Sequence, residues 1–247
     1  MSMSIGVTHA QKTDFDSTEP VTFKIMSPDG GQVIGHGEYH LEKVGNSSVL
    51  VGRNRYTDGG YDVERDRVML RGTGQAPAML AFEHTFYAGD GSKRAFARAD
   101  VRTGDASCAD YQTGREQATH IDFPADTYAG ATVVLAMENA VRAGEDNASF
   151  HVFDCGPAPR LLSVMVRADG PAQPWGFYPN LVRRVSVTPD LGALGVIISG
   201  LIPHRDAWFD ASGWKFVGAE IQRYLANGPK VLLVRDLSGK IGADGPG

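Results

Sequence analysis

The sequence lacks a hydrophobic run long enough to cross a membrane as a helix. Such a helix needs about 20 apolar residues, and the longest candidate, Leu191–Ile202, is too short and contains three glycines. The first residues, Met1–Gln11, lack the basic and apolar regions of a secretory signal peptide. Two locations follow from these absences: the cytoplasm, with a loose N-terminal tail, or the periplasm or cell envelope, if an export signal has been removed.

The chain also lacks an excess of positive charge and the common catalytic motifs. Its net charge is −5, whereas a nucleic-acid-binding domain usually presents a basic face, so we expect no nucleic-acid partner. The sequence contains no G-x-S-x-G, H-E-x-x-H or C-x-x-C motif and no phosphate-binding loop with its lysine. From motifs we therefore predict no catalytic residue, no metal site and no cofactor.

Cysteine is scarce, and the two that are present, Cys108 and Cys155, allow two interpretations. Buried free thiols are common in cytosolic proteins. A disulfide would require an oxidising compartment and would close a long loop, which in the chain-entropy model stabilises a fold by about 4 kcal/mol. The sequence leaves both interpretations open.

Turn-forming residues, by contrast, are frequent. The chain has 30 glycines and 13 prolines, which favours many short strands over long helices. A first strand, Val21–Met26, is followed by the turn Ser27–Gly31, in which Pro presets φ and Gly supplies a positive φ. The next strand, Gln32–Val44, contains Gly35 and Gly37, which indicate a bend or a bulge.

The turns recur at short intervals, and no linker divides the chain. We therefore predict one mainly β domain over residues 19–237, with flexible tails at residues 1–18 and 238–247. The connections are short enough for antiparallel hairpins.

One segment, Ala125–Gly144, has the pattern of a helix. Asp126 or Thr127 is the expected N-cap, because a short oxygen side chain accepts hydrogen bonds from the first free amides. Glu138 and Asn139 indicate a polar side. The predicted apolar face, at helical spacing, comprises Val134, Met137, Ala140 and Val141. This face is wide for a surface helix, so we expect a curved sheet to wrap around it.

The pattern of histidines indicates solvated, cavity-lining or core positions and no metal site. His36 and His40 share one face of a strand, about 13 Å apart at about 3.3 Å per residue, which is too far to share one zinc ion. His84 lies between Phe82 and Phe86 on one strand face. It is either a core residue or a polar anchor inside an apolar pocket.

A hairpin near the C-terminus carries two tryptophans. Asp206–Asp210 is a predicted strand, Ala211–Gly213 is a predicted turn, and Trp208 and Trp214 lie on either side of it. The pair either stabilises the hairpin or forms an aromatic wall at the mouth of a pocket.

Three short motifs suggest a family: Phe123–Pro124 before the helix, Arg142–Gly144 at its end, and Trp208–Asp210 in the late hairpin. With this order of elements, residues 20–236 resemble a bacterial family of envelope proteins of unknown function. That family shares the half-barrel of the LolA lipoprotein carrier and the VioE pigment enzyme. The resemblance implies a single curved antiparallel sheet wrapped around one central helix near residues 126–143. The alternative is a closed, lipocalin-like barrel.

The expected function is non-enzymatic binding or carriage of an apolar or amphipathic, lipid-like small molecule on the concave face of the sheet. One alternative is an enzyme that acts on a small hydrophobic substrate in the same cavity. Another is an envelope interaction protein, since open sheet edges pair with partner strands. The predicted ligand-binding residues are Phe82, His84, Phe86, Val134, Met137 and Trp208.

Overall fold

The computed structural model describes residues 20–71, 76–143, 147–156, 158–172, 178–190, 205–224 and 228–237. The predicted tails at residues 1–18 and 238–247 lie outside the described residues, as does the apolar run Leu191–Ile202.

The described residues form strands and one helix, α1 (Ala131–Arg142). The strands are β1 (Val21–Met26), β2 (Val33–Val44), β3 (Ser47–Tyr56), β4 (Tyr61–Met69), β5 (Ala78–Tyr87), β6 (Lys93–Asp100), β7 (Asp105–Asp110), β8 (Arg115–His120), β9 (Thr127–Tyr128), β10 (Asn147–Cys155), β11 (Pro159–Ala172), β12 (Val182–Pro189), β13 (Arg205–Asp210), β14 (Phe216–Gln222) and β15 (Lys230–Arg235).

All of these strands belong to one sheet, in the order β8-β7-β6-β5-β4-β3-β2-β1-β15-β14-β13-β12-β11-β10-β9. The first strand, β1, pairs with the last strand, β15, in the middle of the sheet, and a meander runs outward on each side. The pairings are antiparallel except for the short parallel contact of β9 with β10. No ladder among the described strands joins β8 to β9, so the sheet is open. The prediction of a mainly β, single curved antiparallel sheet with one helix is confirmed.

A disulfide between Cys108 and Cys155 holds the two ends of the sheet together. Cys108 lies on β7 and Cys155 on β10, each on the second strand from its end of the sheet, yet their Cα atoms are 5.8 Å apart. Strand β11 also contacts β7 and β8 across the same gap. The sheet therefore curls until its ends meet, and the loop closed by the disulfide contains α1.

The helix begins later than the sequence pattern predicts. Its N-cap is Gly130, with φ of 51°, and no side chain caps it. Asp126 instead lies 2.9 Å from His151, and Thr127 donates to the carbonyl oxygen of Pro124 at 2.7 Å. The predicted cap at Asp126 or Thr127 is therefore wrong, because both residues belong to the connection that forms β9.

The helix packs inside the curled sheet. Met137 and Val141 are buried in a core cluster that also contains Phe23 of β1 and Phe209 of β13. Glu138, which the sequence places on a polar side of the helix, is buried, since only 1% of this residue is exposed. In a closed interior a carboxylate needs a partner.

Arg142, one turn further along the helix, supplies that partner at 2.6 Å from Glu138. Its guanidinium also donates to the carbonyl oxygen of Gly213, in the turn between β13 and β14, at 3.4 Å. The C-terminal turn of α1 is thereby attached to that hairpin.

The disulfide is expected to stabilise the curled sheet strongly. Replacing both cysteines in a Cys108→Ser/Cys155→Ser variant should lower the free energy of unfolding by about 2–5 kcal/mol, because the unfolded chain regains the entropy of an open loop. Chemical denaturation with and without a thiol reductant measures this change. The reductant should destabilise only the wild type. If the free energy of unfolding of the wild type is the same with and without reductant, the prediction is contradicted.

Candidate functional site

A cavity of about 500 Å³ lies between the inner face of the sheet and the N-terminal half of α1. Most of its wall is apolar, and its larger apolar side chains come from α1 and from strands on both sides of the β1–β15 pair. They include Phe23, Val133, Val134, Met137, Leu162, Val164, Phe216 and Leu233.

One part of the wall is polar, although it is buried. We call it the polar wall, and it comprises Tyr39, Asn54, Tyr56, Asp62, Glu64 and His84. On β4, the alternation of side chains turns Asp62, Glu64 and Asp66 inward and Arg65 and Arg67 outward. An antiparallel sheet usually places apolar residues inside, so this inward acidic row calls for a specific explanation.

Asp62 is the most heavily hydrogen-bonded member of the polar wall. Its Oδ1 accepts from Asn54 Nδ2 at 2.9 Å and lies 2.9 Å from His84 Nε2. Its Oδ2 accepts from the Tyr56 hydroxyl at 2.9 Å. These three partners, which lie on β3 and β5, offset the cost of burying the carboxylate.

Glu64 joins the polar wall to the helix. Its Oε1 accepts from the Ala131 backbone amide at 2.6 Å, and its Oε2 accepts from the Tyr39 hydroxyl at 3.3 Å. A side chain at Gly130 would overlap this carboxylate, and its φ also lies in the region that favours glycine. Glu64 therefore takes the place of the missing side-chain cap, where the helix dipole favours negative charge.

His84 lies between the two carboxylates, with Nε2 facing Asp62 and Nδ1 at 3.5 Å from Glu64. Burial alone lowers the pKa of His84, but the charge and hydrogen bond of Asp62 and the charge of Glu64 outweigh it, so the net pKa is raised. Because both ring nitrogens face acceptors, the doubly protonated imidazolium fits this position.

Burial and neighbouring charges disfavour the ionised forms of three further groups in this region. Burial, followed by the charges of nearby carboxylates, raises the pKa of Tyr39 and of Tyr56 well above the usual range. Both therefore act as hydroxyl donors. Burial, followed by the charge of Glu64, raises the pKa of Asp66 well above its usual value. Asp66 lies beside the polar wall, but it is not among the cavity-lining residues.

Charged side chains surround the mouth of the cavity, where several hairpins end. Arg160 donates twice to Asp154, at 2.6 and 2.8 Å. Lys230 and Glu220 form an ion pair at 3.2 Å, and Arg205 donates to Gln222 at 3.0 Å. Positive and negative groups are thus mixed here, whereas the polar wall inside is predominantly acidic.

Five of the six predicted site residues line this cavity: Phe82, His84, Phe86, Val134 and Met137. Trp208 does not, and its assignment to the cavity is corrected. Its strand neighbours Ala207 and Phe209 are buried in the core, so alternation along the strand turns Trp208 to the other face of the sheet.

Sequence reasoning missed the remaining polar wall. The usable signal was the spacing of Asp62, Glu64 and Asp66, which places three carboxylates on one strand face. What the pattern does not reveal is that this face points inward. It also does not show that Glu64 pairs in register with His84 across β4 and β5.

Among the described residues, no group of three or more His, Cys, Asp or Glu side chains has an arrangement that could hold a metal ion. Within the same part of the chain, no helix has the length and apolar character needed to cross a membrane.

Replacing His84 should make stability respond to pH in one direction. A histidine whose pKa is raised in the folded state stabilises the fold fully below the unfolded-state pKa of about 6.5. This stabilisation is lost as the pH rises through the folded-state pKa. At pH 6, His84→Gln should therefore lower the free energy of unfolding by about 1.5–3 kcal/mol, the range for hydrogen bonds to charged groups. Above that pH the loss should shrink.

Denaturant titrations from pH 5.5 to 9 measure this loss. His36→Gln is the matched control, because His36 is an exposed residue on β2. A loss that grows with pH would contradict the assignment of His84 as a cation.

Replacing Asp66 should be stabilising at neutral pH. A carboxyl group with a raised folded-state pKa loses its contribution to stability as the pH rises above about 3.8, and an amide does not ionise. Asp66→Asn should thus match the wild type near pH 4 and exceed it at pH 7, by about 1.4 kcal/mol for each unit by which the pKa is raised. Thermal and denaturant unfolding measure the difference, and Asp122→Asn, at a fully exposed side chain, is the control. A variant less stable than wild type at pH 7 would refute this expectation.

Comparison with known proteins gives a limited result. No protein-family model matches the chain, and no curated protein shows a significant match. The chain is similar to a solved structure, a β-barrel-like protein of a domain of unknown function, DUF1849, from Brucella abortus, with 11% identity and a TM-score of 0.45. That similarity covers 87% of this chain and 94% of the other. The similarity is thus to a bacterial β-barrel-like protein of unknown function, and a specific relationship to LolA and VioE stays a prediction.

Proposed function

We propose that this protein binds an apolar or amphipathic small molecule in the cavity between the sheet and α1. The observation that carries the proposal is a cavity of about 500 Å³ with largely apolar walls and one concentrated polar wall. Small-molecule sites typically measure about 300–1,000 Å³ and combine apolar walls with a few placed polar groups. The predicted half-barrel relationship to a lipoprotein carrier fits the same function.

The geometry of the polar wall favours binding over catalysis. A reactive histidine directs one ring nitrogen at the bound molecule, whereas both ring nitrogens of His84 face carboxylates of the protein. The Tyr39 and Tyr56 hydroxyls also donate within the network. These contacts hold the polar wall in one arrangement, as a binding site requires.

Catalysis on a small hydrophobic substrate is the second candidate function. It is favoured by one observation, the 2.9 Å contact between His84 and Asp62 beside an apolar cavity. It ranks second because Asp62 also accepts from two further donors, Asn54 and Tyr56. The other ring nitrogen of His84 faces Glu64, the carboxylate that accepts from the first amide of α1.

Filling the cavity should abolish ligand binding. Val134 lines the cavity from α1, so Val134→Trp would occupy the space of the ligand. Binding of the fluorescent apolar dye N-phenyl-1-naphthylamine, and its displacement by dodecanol, should weaken at least tenfold in this variant.

The matched control is Val33→Trp, since Val33 is 39% exposed at the start of β2 and does not line the cavity. It should bind the dye as the wild type does, and circular dichroism checks that both variants are folded. If folded wild-type protein shows neither dye binding nor displacement, the proposed function is refuted.

A further inference from the structure

Each donor atom of the polar wall faces an acceptor atom of the protein. Both ring nitrogens of His84 face carboxylates, and the hydroxyls of Tyr39 and Tyr56 donate to Glu64 and Asp62. Asn54 Nδ2 also donates to Asp62. What remains is acceptor capacity, because carboxylate and hydroxyl oxygens each have lone pairs beyond those in use.

Asn54 shows the same imbalance in a single side chain. It lines the cavity and is only 2% exposed. Its Oδ1 has no hydrogen-bond partner among the described residues. A buried acceptor without a donor is costly, and this oxygen, which packs against Gly37, adds to the excess of acceptors in the polar wall.

The charges of the cavity wall point to the same kind of ligand. Asp62 and Glu64 carry two negative charges, and His84 supplies one positive charge. The cationic side chains that line the cavity elsewhere are Arg160, Arg205 and Lys230, at its mouth. Arg160 and Lys230 are paired with carboxylates, and Arg205 lies 4.0 Å from Asp154. No lysine or arginine belongs to the polar wall.

Arg223 also approaches the polar wall, but its charge is already paired. Its guanidinium lies 3.8 Å from the centre of the Tyr56 ring, on the aromatic face. Its nitrogens donate to both carboxylate oxygens of Asp58, at 2.6 and 2.7 Å. The acidic character of the polar wall is therefore retained inside the cavity.

We propose that the ligand is an amphipathic amine, whose protonated amino group donates to the polar wall while its apolar chain lies along α1. This inference rests on the proposed function and names the ligand class of the same site. An ammonium group has three donors and no acceptor, which complements a wall whose unused hydrogen-bonding capacity is mainly that of acceptors. Val133, Val134 and Met137 supply the apolar contact for the chain.

The same wall discriminates against other head groups. A carboxylate head would bring a third negative charge and no donor, and like charges in a weakly screened interior repel. A hydroxyl head has one donor and no charge, so it fits the polar wall but gains less binding free energy than an ammonium group. The order of affinity should therefore be amine, then alcohol, then carboxylate.

Three ligands with one common chain test this order: dodecylamine, dodecanol and dodecanoate. Each is titrated at pH 7, below the concentration at which it forms micelles, against wild-type protein loaded with N-phenyl-1-naphthylamine. Dodecylamine should displace the dye at a concentration at least tenfold lower than dodecanoate, with dodecanol between them. Equal displacement by all three, or tighter binding of dodecanoate, overturns the assignment of an amine ligand. Either result still agrees with the proposed function. No displacement by any of them refutes the proposed function itself.

A charge-neutral variant tests whether Asp62 causes the preference for the amine. Asp62→Asn keeps the size of the side chain but removes its charge, so the advantage of dodecylamine over dodecanoate should fall at least tenfold. Asp122→Asn is the matched control, because Asp122 is a carboxylate with a fully exposed side chain outside the cavity lining, and this variant should keep the wild-type preference. If Asp62→Asn proves unfolded by circular dichroism, the comparison of the three ligands on wild-type protein decides alone. A folded Asp62→Asn variant with the wild-type preference overturns the assignment.

Discussion

The hydrogen bond from the Ala131 amide to the Glu64 carboxylate connects the sheet to the helix, and the site depends on it. The first amides of a helix have no partner within the helix, and a buried carboxylate needs donors. Each group supplies what the other lacks, and Gly130 leaves the space in which they meet. The same carboxylate accepts from Tyr39, so the helix start and the polar wall are parts of one network.

The curled sheet makes this network an interior one. A flat sheet would leave the inner face of β4 in water, and its acidic row would then be an ordinary solvated surface. The disulfide between Cys108 and Cys155 brings the ends of the sheet together, and α1 fills one side of the enclosed space. The polar wall thereby acts at low dielectric, where each hydrogen bond and each charge has a stronger effect on a bound molecule.

Much of the fold was predictable from local patterns. The turn Ser27–Gly31, the period of two in the strands and the apolar face of the helix indicate a mainly β chain with one helix. The start of that helix was not predictable, because its cap, Glu64, is 67 residues away in the sequence. Trp208 was misplaced for a related reason, since an aromatic side chain on a strand does not itself show which face of the sheet is inside.

By itself, the sequence determined the elements of this protein, their antiparallel connections and one half of the candidate site, Phe82, His84 and Phe86 on a single strand face. Those features follow from backbone periodicity and turn chemistry, which act between neighbours in the chain. The tertiary structure alone decided that Asp62 and Glu64 of β4 face the same cavity. It also placed Asp62 against His84 and joined the two cysteines. These contacts come from the register of distant strands and from the curl of the sheet, which no local pattern contains.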